Sequence, residues 1–177
     1  MAPKSFHSDS DLIEALFERY RTSMFAIAMT IMKNPHDAND VVQLSMIKIM
    51  KNMDKVDDID SERCKHFILV ITKNTALTEF SRNKNRKTVT MEPVKLVSFL
   101  EGQIDVLDFE KKYGFSDEMM ELMKELKETD KDILCLKYGD GYSNEEIGAI
   151  LGIREDAVRK RLSRARERLA EILRTRR

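Results

Sequence analysis

Between Tyr142 and Leu173 lies the stretch that most limits what this chain can fold into. It runs Tyr142-Ser-Asn-Glu-Glu-Ile-Gly-Ala-Ile-Leu-Gly152, continues through Ile153-Arg-Glu-Asp-Ala-Val-Arg-Lys-Arg-Leu162, and ends in a basic run. Ser143, with Glu146 three residues on, has the form of a capping box, in which each side chain satisfies the other's backbone N–H. A short helix to Leu151 follows, with Ile147, Ile150 and Leu151 on its apolar side. Gly148 leaves room for a second helix to pass close by, and Gly152 suits the left-handed residue that ends a helix. Glu155 and Asp156 then stand in the first turn of the next helix, where acids complement its dipole. Two short helices around a tight glycine turn make a helix-turn-helix.

At about 100° per residue, Val158, Leu162, Ala165, Leu169 and Ile172 fall on one inward side of the second helix. Asp156, Arg159, Lys160, Ser163 and Arg164 fall opposite, with Arg154 just ahead of the first turn. Arg and Lys on the leading half of such a helix can donate to guanine edges and to phosphates in a major groove. The competing interpretation is a solvated basic face of an ordinary bundle. The glycines and the cap, in register with the basic face, favour DNA.

Charge supports this division. The chain of 177 residues has zero formal net charge, yet residues 154–177 hold ten Lys/Arg against four Asp/Glu. Residues 101–132 hold eleven acids against five lysines. A neutral average therefore conceals a basic end and an acidic middle. Aromatic residues are 7% and charged residues 35%, which favours helices over sheets.

Upstream, Asp9 or Ser10 is expected to cap a helix through Leu12, Leu16, Tyr20, Met24, Ile27 and Ile31. Asn34-Pro35 starts another, predicted to reach about Met53, with Ala38, Val42, Ser45, Met46, Ile49 and Met53 on its core side. Its opposite stripe is Asp40, Gln43, Leu44, Ile47 and Lys51. Two aliphatics among polar residues make either a docking surface or a patch covered by another part of the chain.

Residues 54–60 read as an acidic loop, after which Ser61 opens a third helix, apolar all round from Phe67 to Ile71 and so enclosed on several sides. Its end turns polar and basic through Lys73, Asn74, Arg82, Lys84 and Arg86, which suits either nucleic acid or solvent. Residues 103–109 alternate acids with apolar side chains and are compatible with a strand, a helical turn or an extended docking segment. Ser116 and Thr129 are expected to cap two more helices. The predicted fold class is all-α: two small helical bundles, residues 8–86 and 116–177, joined by a flexible linker, 87–115.

Cys64 and Cys135 stand alone and read as buried reduced thiols, and the three histidines have no ligand spacing. Nothing calls for a catalytic residue, a metal, a cofactor or a small-molecule substrate. No apolar run reaches the roughly 18 residues of a membrane span, and a cytoplasmic location is expected.

Two separated motifs then agree. Asn34-Pro-His-Asp-Ala-Asn-Asp-Val-Val-Gln43 resembles the polymerase-binding helix of bacterial sigma factors. Tyr142 to Gly152, with Val158-Arg-Lys-Arg-Leu-Ser-Arg-Ala-Arg166, resembles their promoter-reading C-terminal domain. The length and two-part organisation are similar to the extracytoplasmic-function group. The resemblance implies that Asp40, Gln43, Leu44 and Ile47 contact the β′ clamp helices of core RNA polymerase. It implies that Lys73, Asn74, Arg82, Lys84 and Arg86 hold the −10 element, and that Arg154, Arg159, Lys160, Ser163 and Arg164 read the −35 element. Phe67 stands where the family usually has Trp, Thr78 where Asp is frequent and Leu44 where Glu is frequent. An anti-sigma partner is also implied. The alternatives are a dimeric helix-turn-helix regulator that is not a polymerase subunit, and a polymerase-binding adaptor without DNA contact.

Overall fold

The computed structural model describes residues 8–56, 58–86 and 116–176. The proposed linker 87–115, with its alternating segment 103–109, lies outside them. The chain divides into two compact units, Met1–Gly102 and Gln103–Arg177. Among the described residues there are helices and turns and no strand, as expected for an all-α chain.

The first unit packs α1 (Asp9–Met32), α2 (Pro35–Met50) and α3 (Glu62–Arg86) against one another. Leu16, Tyr20, Met24, Ile27 and Ile31 recur at three- and four-residue intervals along α1 and are all buried. The cap of α1 is Ser8, whose hydroxyl accepts from Asp11 N at 3.3 Å, rather than Asp9 or Ser10. Ser8 is the last extended residue, so only its side chain can turn back onto the first free N–H groups. Between α1 and α2 the chain turns at Lys33, φ 57°, and Asn34 Oδ1 then accepts from His36 N and Asp37 N.

The α-helix of α2 ends at Met50, three residues short of the expected Met53, which instead begins a 3₁₀ turn, Met53–Lys55. Asn52 explains the early stop: its side-chain amide donates to Lys48 O at 2.9 Å, occupying a carbonyl that a continuing helix would use. The Tyr20 hydroxyl donates to Ile59 O and anchors the loop that follows, and burial raises its phenol well above the ordinary range. Ser61 Oγ accepts from Cys64 N at 3.0 Å, as a cap should. Every residue from His66 to Thr72 is buried, so the middle of α3 is enclosed on all sides.

The second unit contains α4 (Asp117–Met123), α5 (Glu128–Leu134), α6 (Asn144–Leu151) and α7 (Glu155–Thr175). Ser116 Oγ accepts from Met119 N at 3.2 Å at the head of α4. Thr129 is not a cap: α5 already starts at Glu128, one residue before it. Glu128 and Asp130 suit the positive end of that helix, and Lys131 reaches back to Glu128 at 2.9 Å. A wider π turn, Cys135–Gly139, closes it. Ile133, Leu136, Tyr142, Ile147, Val158 and Ala165 are the centre of the core, while Leu169 and Ile172 are only half-buried. Arg168 pairs with Asp130 at 2.6 Å and ties α7 to α5. Both cysteines are buried and neither is in a disulfide.

The capping box of α6 is complete: Ser143 N donates to Glu146 Oε2 at 2.7 Å, and Glu146 N to Ser143 Oγ at 3.1 Å. Ser143→Ala is expected to cost this unit about 1 kcal/mol. Amide exchange in α6 in the full chain measures it, and unchanged protection would contradict the assigned role of the cap.

Candidate functional site

The residues singled out from sequence lie on three helices, α2, α3 and α7. On α2, Asp40, Gln43, Leu44, Ile47 and Lys51 all face outward. Leu44 is 38% and Ile47 49% exposed, so no described residue covers them. They border a cleft of about 340 Å³ whose walls also include Met32, Asp37, Glu79 and Asn83. Sequence reasoning missed these four. Asp37 lies one turn before Asp40 and was within reach of a periodicity argument. Glu79 and Asn83 come from α3, and only the packing of α2 against α3 brings them there. The cleft has an aliphatic lining and three carboxylates, chemistry that suits a helix carrying both apolar and basic side chains.

Lys48 crosses between the same two helices and donates to Thr75 Oγ1 at 3.0 Å. Burial pushes its ammonium below the ordinary value, against the opposing pull of Glu79. Glu79 also holds Arg82 at 2.9 Å. One carboxylate thus serves the cleft and the basic end of α3 together.

On α3, Lys73 and Asn74 are half-buried. Asn74 Nδ2 donates to Val70 O at 2.9 Å, which leaves Oδ1 as its outward-facing group. Lys73 and Arg82 are nine residues apart, so they stand on opposite sides of the helix, about 180° around it. The structure therefore does not gather them on one face. The side chains of Lys84 and Arg86 lie outside the described residues.

In the second unit, α6 and α7 meet at Gly152, φ 66°, where Ile153 N donates to Gly148 O at 2.9 Å. A Cβ on Gly148 would sit 2.8 Å from Ile153 O, so the close approach expected there is real. Arg154 occupies the cap position of α7 without a side-chain cap bond. Arg154, Arg159, Lys160 and Arg164 are exposed and Ser163 is half-buried. Their surroundings differ. Arg159 Nη1 donates to Glu155 Oε1 at 2.8 Å and its Nη2 to Asp156 Oδ1. Its hydrogen bond to Asp156 and the charge of Glu155 hold the guanidinium above the ordinary value. Ser163 Oγ donates to Glu167 at 3.0 Å. Lys160 and Arg164 make no ion pair among the described residues.

Residues 16–86 match the family model of sigma-70 region 2, and residues 116–169 match that of sigma-70 region 4. The chain belongs to the sigma-70 family. Together the two matches cover more than half of it. It is similar to the ECF RNA polymerase sigma factor SigW of Bacillus subtilis, 23% identical over 94% of this chain and 91% of that one. It resembles the ECF RNA polymerase sigma factor EcfG of Rhodopseudomonas palustris at 23% identity, over 85% of this chain and 79% of that one. A probable RNA polymerase sigma factor, RfaY of Xanthomonas campestris, is 24% identical over 82% of this chain, which spans 36% of that relative's length.

This chain is a sigma factor of the extracytoplasmic-function type, directing RNA polymerase to promoters for transcription initiation. Core RNA polymerase and promoter DNA are its partners. Sigma factors are as a family not enzymes. The dimeric regulator is not favoured: residues 16–86 match sigma-70 region 2, which a regulator that is not a polymerase subunit does not call for. Among the described residues no helix is long and apolar enough to cross a membrane.

Proposed function

We propose a division of labour among the residues of this sigma factor, with residues 8–86 as the region 2 domain, 116–177 as the region 4 domain and 87–115 as the linker. Asp40, Gln43, Leu44 and Ile47 receive the β′ clamp helices of polymerase, helped by Asp37 and Glu79. Lys73, Asn74, Arg82, Lys84 and Arg86 address the −10 element, with Lys73 and Arg82, on opposite sides of α3, meeting different parts of the non-template strand. Capturing bases that have left the stack offsets unstacking, which costs a few kcal/mol per base, and so favours the opened duplex. Arg154, Arg159, Lys160, Ser163 and Arg164 address the −35 element from the major groove. The chain performs no bond chemistry itself and works in the cytoplasm, beside the chromosome. An anti-sigma protein would keep it inactive by occupying the cleft that polymerase needs.

The observation that carries this proposal is the exposed pair Leu44 and Ile47 at a cleft with three carboxylates. An apolar patch held open beside charge is the surface of a protein that waits for a partner. Its test is reconstitution: the full chain with core polymerase should yield transcripts from defined start sites on genomic DNA of its own organism. Absence of core binding would remove the proposal. Lys160 and Arg164 make no ion pair among the described residues and are assigned to phosphates. Replacing both with Ala should flatten the slope of log affinity against log salt by about two for holoenzyme on promoter DNA. An unchanged slope would move these side chains off the backbone.

A further inference from the structure

The groove-entering end of α7 is not simply basic. Arg154 and Arg159 there are matched by Glu155 and Asp156, so the four side chains sum to zero formal charge. Arg159 is engaged at both terminal nitrogens, by Glu155 at 2.8 Å and by Asp156. Asp156 also lies 3.8 Å from Arg154. Further along the helix, Lys160 and Arg164 are exposed and make no ion pair among the described residues. The acids thus cluster on Arg159 and spare two other cations of the same helix.

Resting on the assignment of Arg159 to the −35 element, we propose that Glu155 and Asp156 are specificity-determining residues, which turn this end of α7 toward base edges and away from phosphates. Two physical effects produce this. The carboxylates fix the guanidinium in one orientation, so less side-chain freedom is lost when its remaining N–H groups meet the two acceptors of a guanine edge. They also repel phosphates, while a cytosine amino group is a donor that a carboxylate can accept. Guanine and cytosine edges are therefore rewarded at the tip of the helix, and backbone affinity is left to Lys160 and Arg164, which carry no sequence information. A contact with the wrong sequence must displace the carboxylates without replacing their two hydrogen bonds. The simpler role for acids in a first turn is to complement the helix dipole. That role explains the carboxylates but not the capture of Arg159.

The test uses the full chain assembled with core polymerase. Holoenzyme first selects duplexes from a library randomised over the upstream element. Affinity is then compared between a selected duplex and the same duplex with that element scrambled, for the wild type and for Glu155→Gln with Asp156→Asn. The variant should bind scrambled DNA more tightly, and its ratio of selected to scrambled affinity should fall about three- to tenfold. Its own selection should lose guanine and cytosine enrichment at the positions facing the start of α7. Glu155→Asp with Asp156→Glu, which keeps both charges, should restore most of the ratio. Equal gains on both duplexes would overturn the inference, since the acids would then act through net charge alone. Equal losses with faster amide exchange in α7 would also overturn it and leave only the dipole role. Arg159→Ala is the separate control. If it leaves the selected duplex bound as before, the assignment of Arg159 to the −35 element fails; if it weakens that duplex while the acid variant keeps the ratio, only the present inference fails.

Discussion

Ile47→Arg is expected to weaken binding to core polymerase by more than about 2 kcal/mol, roughly thirtyfold in Kd. Two losses combine at this position. The side chain is one of two aliphatic groups on a mostly polar stripe, 49% exposed in the free chain and available to be buried by a partner. The incoming guanidinium would also sit beside Asp37, Asp40 and Glu79 and neutralise part of the acidic wall. Folding should be almost untouched, within about 0.5 kcal/mol, because a half-exposed surface residue leaves no cavity when replaced. Titrating labelled chain with core polymerase measures the first quantity and a thermal melt the second. Normal binding by the variant would detach the cleft from polymerase altogether. Loss of both binding and melting temperature would mean that Ile47 supports the fold.

Gly148→Val should disable the second unit while sparing the first. The new Cβ would lie 2.8 Å from Ile153 O, a backbone atom that cannot move away by changing rotamer, and 3.8 Å from Val158 Cγ2. Overpacking at such a place costs about 2–3 kcal/mol, with the carbonyl of the turn forced outward. The better helix propensity of valine relative to glycine recovers only a few tenths of that. Since Ile153 N also depends on Gly148 O at 2.9 Å, the same displacement loosens the hydrogen bond that closes the turn. Amide exchange should accelerate in α6 and α7 and stay unchanged in α1, α2 and α3. Footprints of the holoenzyme should lose the upstream contact while binding to core polymerase persists. Unaltered exchange across α6 would show that the turn tolerates a side chain, and the helix-turn-helix would then owe nothing to this glycine.

Local chemistry made much of the molecule legible. Ser143 with Glu146, Asn34 with Pro35, and Gly152 each specify a chain reversal or a helix end through atoms a few residues apart, and each occurs as expected. The errors also follow from local competition. Asn52 ends α2 early by spending a side-chain amide on Lys48 O, and Glu128 starts α5 ahead of the capping signal at Thr129. On α7, Glu155 and Arg159 stand four apart, a spacing that predicts an ion pair. Assigning the acids to the helix dipole concealed that they also hold Arg159.

What the order of residues determined by itself was the helical class, the positions of the breaks and the polarity of each helix face. These depend on propensity, periodicity and caps, which act over a turn or two. Packing alone decided what those faces do. The exposure of Leu44 and Ile47, the arrival of Glu79 and Asn83 beside them, and the sharing of Glu79 between cleft and Arg82 require α2 to lie against α3. That contact brings Glu79 and Asn83 to Leu44 and Ile47, more than thirty positions away in the chain, and no short-range rule of capping or spacing can reach across it.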